Sequence, residues 1–196
     1  MSETNSLKLI KSNIEQSIQL KQAVLADNEL IQKINSAANQ CLYSFNQGKR
    51  MLLAGNGGSA ADAQHIAAEL VCRFNFERPG LPAMALATNY SVITAAGNDY
   101  SYEDVFAREI EANGQAGDIF VAISTSGNSK NIINAVKAAK KKDIFVIGLS
   151  GKGGLLMTES DICINIPSSN TPRIQECHIM VGHILCEIIE NTLFKD

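Results

Sequence analysis

Charge is scarce in this 196-residue chain. Asp, Glu, Lys and Arg make up 19% of it, against about a quarter in an average domain, so less of the chain than usual is expected to face water. The formal net charge is only −3, and 45% of residues are hydrophobic. That excludes a disordered chain, which pairs low hydrophobicity with high net charge. Lysine and arginine (17) do not outnumber aspartate and glutamate (20), so there is no basic footprint for nucleic acid. The five cysteines include no CxxC pair, and neither a disulfide framework nor a metal-binding spacing is supported. Each lies in an apolar stretch, so all five read as buried free thiols of a reducing compartment. The longest uncharged run, residues 79–98, is broken by Pro82, Asn89 and Gly97 and is not a membrane span. Met1 to Ser6 is polar rather than leader-like, so no signal peptide is expected and the protein is expected to be soluble and cytoplasmic. No linker or low-complexity tract interrupts the chain, whose length fits one domain of roughly 100–200 residues.

What is present is order of a recognisable kind. Leu7, Ile10, Ile14, Ile18 and Val24 recur at helical spacing, as do Leu30, Ile34, Ala38, Cys41 and Phe45. These predict two leading helices, the second capped by Asp27 or Asn28 and ended by Gly48. The pattern then becomes strand, loop, helix. Short apolar runs at 51–54, 83–87, 119–123, 144–149 and 162–166 predict five strands. Helices are expected from about Ser59 to Arg73, over 91–97 and 103–113, from Asn131 to Lys142, and from Pro172 onward. Continuous apolar strands alternating with helices mean a parallel sheet covered on both faces, a three-layer α/β/α sandwich.

Two loops suit a phosphate. Gly55-Asn56-Gly57-Gly58-Ser59 follows a strand and opens a helix. Glycines let the backbone approach a ligand, and the helix N-terminus offers free N–H groups to an anion. Gly55-x-Gly57-x-x-Ala60 comes near the dinucleotide fingerprint, but the acidic residue it requires would be Glu77, which is not at a strand end. No Gly-Lys-Ser/Thr follows, so a nucleoside triphosphate P-loop is excluded. The second loop, Ser124-Thr125-Ser126-Gly127-Asn128-Ser129, puts four hydroxyls before a helix and can cradle one phosphate without lysine. Taken alone it is equally an ordinary turn. Two such loops on one sheet favour a phosphorylated small molecule.

Four further side chains carry acid–base chemistry. His65 and Glu69 are four apart on one helix and share a face. Gln175 opens the last helix, and His183 lies in its apolar stretch. The spacing permits either proton transfer or a metal held by His, Glu, Gln and His. His178 reads as a hydrogen-bonded core histidine.

The run from Gly55 to His65 followed by Ala67-Ala68-Glu69 resembles the phosphoheptose isomerases. So do Arg78-Pro79-Gly80, Gly97-Asn98-Asp99, the Ser124–Ser129 loop and Arg173-Ile174-Gln175-Glu176. The likeness spans nearly the whole chain. It implies a single sugar isomerase (SIS) domain over residues 1–196, flavodoxin-like, with residues 1–48 as helices that assemble a homotetramer. It implies interconversion of sedoheptulose 7-phosphate and D-glycero-D-manno-heptose 7-phosphate, which opens ADP-heptose synthesis for lipopolysaccharide core or related glycans. By matching motif, Ser124, Thr125, Ser126 and Ser129 would hold the phosphate. Asn56, Gly57, Gly58 and Ser59, with Asn98, Asp99 and Gln175, would contact the substrate. Glu69 and His183 would be the acid–base pair. Zinc, one per subunit, would be held by His65, Glu69, Gln175 and His183. The chain departs from the family at Ser150-Gly151-Lys152-Gly153-Gly154, one residue short and without the usual aspartate. A SIS tetramer that binds the bacterial replication initiator lacks this glutamate and histidine, so their presence here points to the enzyme. A SIS regulatory module and a nucleotide-dependent oxidoreductase are weaker alternatives.

Overall fold

The computed structural model describes residues 3–195. Helices α1 (Glu3–Ala26) and α2 (Asn28–Asn46) lead the chain. Asp27 separates them and caps α2, its carboxylate accepting from the Leu30 amide at 3.0 Å, which satisfies a donor that the helix leaves free. Gly48 follows α2 at φ +69°, a left-handed turn natural to glycine just past a helix end.

Strands and helices then alternate: β1 (Met51–Ala54), α3 (Gly58–Val71), β2 (Ala83–Ala85), α4 (Tyr90–Asp99), α5 (Val105–Asn113), β3 (Ile119–Ser124), α6 (Lys130–Lys140), β4 (Phe145–Ser150), α7 (Leu156–Glu159), β5 (Ile162–Asn165) and α8 (Thr171–Phe194). The strands form one sheet in the order β2-β1-β3-β4-β5, all parallel. This is the flavodoxin-like winding. Its strand order reverses between β1 and β3, and ligands of such sheets bind at that crevice beyond the carboxyl ends of the strands.

Alternate strand residues serve the two faces. Met51, Leu53, Ile119, Val121, Ile123, Ile147 and Leu149 pack with α2, α3 and α8. Leu52, Ala54, Phe120, Ala122 and Val146 pack with α5 and α6. Burial on both sides is why the strands read as unbroken apolar runs, and the expected three-layer sandwich is the fold. Helix α8 is apolar nearly all round because it packs against α2 and α3 as well as α1.

The structure trims several expectations. Strand β2 ends at Ala85 rather than Ala87. Ala87 takes φ +57°, and its amide leaves the sheet to donate to Glu109 Oε1 at 2.6 Å. Strand β4 starts one residue late, after Asp143 at φ +55°. Helix α3 stops at Val71, two residues early. The short α7 was not expected. Cys72 is an exposed free thiol just past α3, whereas Cys41, Cys163, Cys177 and Cys186 are buried; the expectation of five buried thiols fails at that helix end. Burial pushes the Cys41 and Cys186 thiols up to about 12, which leaves them unreactive.

Among the described residues no helix is long and apolar enough to cross a membrane. On α1 the predicted stripe is real but uncovered: Leu7, Ile10, Ile14 and Ile18 are each more than half exposed.

Candidate active site

The two phosphate-suited loops meet at the switch point. Gly55 has no room for a β-carbon, which would run into the backbone of Ser59; the turn into α3 therefore requires glycine there. Gly57 sits at φ +57° before the first turn. Asn56 reaches across to the other loop. It donates from Nδ2 to Asn131 Oδ1 at 2.9 Å, and its Oδ1 accepts from Asn131 Nδ2 at 2.8 Å and from the Tyr102 hydroxyl at 3.0 Å. Ser59 is buried and its amide donates to the Asn56 carbonyl at 3.1 Å, so it acts as part of the turn.

In the Ser124–Ser129 loop the hydroxyls converge. Ser124 Oγ lies 2.9 Å from Ser129 Oγ and 3.4 Å from Ser126 Oγ. Cavities open on both sides. One of about 460 Å3 is lined by Asn56, Tyr102, Glu103, Ser129, Lys130 and Asn131. The other, of about 500 Å3, is lined by Thr125, Ser126, Lys152, Gly153, Ser168, Ser169 and Thr171. The shortened Ser150–Gly154 loop therefore forms a wall of the site. Its Gly151 amide donates to the Thr125 carbonyl at 3.0 Å, and a β-carbon on Gly154 would stand 2.5 Å from the Ser126 carbonyl.

The acid–base residues gather elsewhere, where α3 and α8 run side by side. His65 Nε2 is 3.0 Å from Glu69 Oε1. The His65 and His183 rings meet edge to face at 5.0 Å. One ligand atom from each of His65, Glu69 and His183 lies within 4.8 Å of the others. His183 Nε2 is buried without a partner, and an unpaired buried polar atom calls for a ligand or a water. Two imidazoles and a carboxylate around such an orphan nitrogen fit a zinc-type ion. The Phe74 ring, 5.6 Å from the His183 ring, covers His183 from another side.

Gln175 is not with them. Its Nε2 would stand 2.5 Å from a β-carbon on Gly58, at the start of α3. Eight residues of helix separate Gln175 from His183, about 12 Å along the axis. Within one chain three of the four expected ligands come together and the fourth lies at the Gly55–Ser59 loop. Asn98 and Asp99 stand at the end of α4, bonded to each other at 2.8 Å, and Asp99 lines a separate cavity with Tyr100 and Arg108.

His178 is the core residue expected of it. It is fully buried, with Nε2 3.1 Å from the Ser150 carbonyl, so the Nε2–H tautomer donates there. Burial holds its pKa down at about 4. Tyr102, Asn131, Lys130 and Lys152 line the site without having stood out in the sequence. Lys130 directly follows the Ser124–Ser129 loop and Lys152 lies inside the Ser150–Gly154 loop, and that placement was the available signal.

A fold with two glycine- and serine-rich loops at the switch point is that of a SIS domain, and residues 14–151 match the SIS domain family. The chain is 53% identical to a phosphoheptose isomerase of Aneurinibacillus thermoaerophilus over 188 residues, 95% of each chain. It is also 53% identical to one of Sulfurimonas denitrificans over 96% of this chain and 97% of that one. A solved phosphoheptose isomerase from Francisella tularensis superposes with a TM-score of 0.91 at 39% identity, covering 97% of this chain and all of that one. The chain belongs to the phosphoheptose isomerase family and is a sugar phosphate isomerase.

Proposed function

We propose that this enzyme interconverts sedoheptulose 7-phosphate and D-glycero-D-manno-heptose 7-phosphate through an enediol, supplying heptose for ADP-heptose synthesis in the cytoplasm. The observation that carries the reading is the His65–Glu69–His183 cluster, with its buried, unpartnered His183 nitrogen. Aldose–ketose isomerisation needs a base at carbon and a second group moving a proton between oxygens. Glu69 takes the C1 proton of the ketose and returns it to C2. His183 carries the proton from O1 to O2, so the product is an isomer with no net change in atoms. The Ser124–Ser129 loop, with Thr125 and Ser126, holds the phosphate, and Asn56, Gly57 and Gly58 hold the sugar; Asn98 and Asp99, at the end of α4 where Asp99 lines a separate cavity, are assigned to the sugar on the family likeness alone.

Zinc is proposed at His65, Glu69 and His183, with Gln175 as a fourth ligand. A bound zinc would instead polarise the carbonyl as a Lewis acid, and would make a coordinated Glu69 a poorer base. Gln175 of the same chain stands too far along α8, so a second copy supplies it. The phosphate loop makes the same demand. Glu69 lies eleven residues into α3 (58 to 69), about 16 Å from the strand ends. Standard bond lengths make an extended seven-carbon sugar phosphate about 10 Å long. A homotetramer that pairs one chain's loops with another's acid–base cluster resolves both distances, and the uncovered apolar face of α1, in the leading 1–48 segment, is where such an assembly would close.

The test is turnover of sedoheptulose 7-phosphate by wild type and Glu69→Gln, each with and without a chelator. Wild type is expected to turn over, and Glu69→Gln to be silent while still binding substrate. Near-normal turnover by Glu69→Gln overturns the assignment. A wild type that is inactive in both conditions overturns the substrate.

A further inference from the structure

We propose that the buried Arg78–Glu190 pair is a positioning device that sets Glu69 and His183 together from one carboxylate. The proposal rests on the reading of those two residues as the acid–base pair. Both side chains are almost wholly buried, 2% and 1% exposed, with Arg78 Nε 3.1 Å from Glu190 Oε1. A buried pair of this kind is often no more stabilising than apolar residues of the same size, so its other contacts say what it does.

Arg78 works on the end of α3. The last carbonyls of a helix have no partners within it. Arg78 Nη2 donates to the Glu69 carbonyl at 2.8 Å, and Nη1 donates to the Leu70 carbonyl at 2.6 Å and the Pro79 carbonyl at 3.0 Å. The planar guanidinium fork reaches these carbonyls and Glu190 at once, which a lysine ammonium cannot do. The backbone beneath Glu69 is therefore fixed by Arg78, and its guanidinium lies 5.7 Å from the Phe194 ring centre near the end of α8.

Glu190 works on His183. It stands seven residues beyond His183, two turns along the same face of α8. Its carboxylate accepts from the Phe74 amide at 2.8 Å and the Asn75 amide at 2.6 Å. Those bonds hold the loop after α3 so that the Phe74 ring lies against the His183 ring. Burial alone would raise the carboxyl's pKa, but the Asn75 and Phe74 amides and Arg78 outweigh it and hold the group below its usual range. One anion thus anchors the cation that sets Glu69 and the loop that sets His183.

The experiment compares assembled wild-type enzyme with Arg78→Lys, Glu190→Gln, the apolar double variant Arg78→Met/Glu190→Leu, Phe74→Leu, and Glu69→Gln as control. A misplacement on the order of 1 Å costs about a hundredfold in rate. Arg78→Lys and the double variant are expected to lose about that much kcat, with KM within about twofold because the phosphate loop is untouched. The double variant removes the buried charges but leaves the Phe74 and Asn75 amides and the Glu69 and Leu70 carbonyls without these partners, so thermal melting fixes the folded fraction of each variant and kcat is read per folded enzyme. Phe74→Leu keeps the pair, and its kcat is expected to fall with KM little changed because His183 loses the ring that lies against it. A folded double variant with near-normal kcat overturns the proposal. So does a loss carried by KM, a loss that only follows the unfolded fraction, or an undiminished kcat in Phe74→Leu. Near-normal turnover by Glu69→Gln overturns the acid–base reading itself; a silent Glu69→Gln beside a near-normal, folded Arg78→Lys overturns the positioning role alone.

Discussion

Gly182 faces Ile66 across the seam between α8 and α3 with no space for a β-carbon, which would lie 2.5 Å from Ile66 Cδ1 and 2.7 Å from Cγ1. Ile66 is buried and cannot swing aside. This contact sets how closely the two helices approach, one residue from both His65 and His183. Gly182→Ala is expected to cost about 1–3 kcal/mol of stability, as overpacking does, and to lower kcat by prising His183 from Glu69. Adding Ile66→Ala removes both colliding atoms. The double variant should lose less stability than the two single losses added together, because each change removes the other's clash, and should regain turnover over Gly182→Ala, a non-additivity that contact requires. Simple additivity in melting and kinetics would contradict it.

The Ser124–Ser129 hydroxyl pair makes a separate prediction. A hydrogen bond to a charged group is worth about 1.5–3 kcal/mol. Removing one hydroxyl that holds phosphate should therefore raise KM about tenfold or more. Where that contact is the same in substrate and transition state, its loss appears in KM and leaves kcat little changed. Steady-state kinetics of Ser124→Ala and Ser129→Ala check this. A fall in kcat at constant KM would place these hydroxyls at the reacting carbons instead.

The sheet was legible because burial on both faces leaves an unbroken apolar run, a signal that survives without any partner information. Bounds were missed where a backbone angle decides them: Ala87 and Asp143 take positive φ that neither residue type announces. The two anion loops were legible from their glycines and hydroxyls. His65 and Glu69 were legible because helical spacing alone brings them together. The meeting with His183 was not, since it depends on α3 and α8 lying side by side with Gly182 at the crossing. Nor could spacing show that Gln175 stands beside Gly58, away from the other three. Arg78 and Glu190 are 112 residues apart, and a long-range pair leaves no local pattern.

His178 makes stability depend on pH. Its ordinary pKa is 6.5, and burial lowers it to about 4 in the fold. Protonation would put a proton on Nδ1, which is buried without a partner. Below pH 6.5 the unfolded chain binds a proton that the folded chain refuses, so stability falls as pH drops from 6.5 to about 4 and is indifferent to this group outside that window. At about 1.4 kcal/mol per pH unit the loss is about 3 kcal/mol. Urea unfolding at fixed protein concentration should show wild type losing that much more than His178→Gln across the window. Parallel curves would show that His178 is protonated in the fold.

Shared sites predict rescue between a silent protein and one whose KM is raised. Glu69→Gln keeps an intact phosphate loop, and a chain lacking the Ser124 and Ser129 hydroxyls keeps an intact acid–base cluster. If one subunit's loop works with another's cluster, unfolding and refolding the two together gives some sites built from two intact halves. Turnover should then reappear with a normal KM, because each restored site is wild type in every contact. If each chain completes its own site, every site in the mixture carries one defect and no mixing restores activity. Assembly is the precondition. Charges placed on the uncovered face of α1, as in Ile10→Asp/Ile14→Asp, should shift light scattering toward smaller species and remove turnover while leaving the sheet's circular dichroism intact. A dissociated variant with full activity would show that one chain closes the distance from Gly58 to Glu69 by itself.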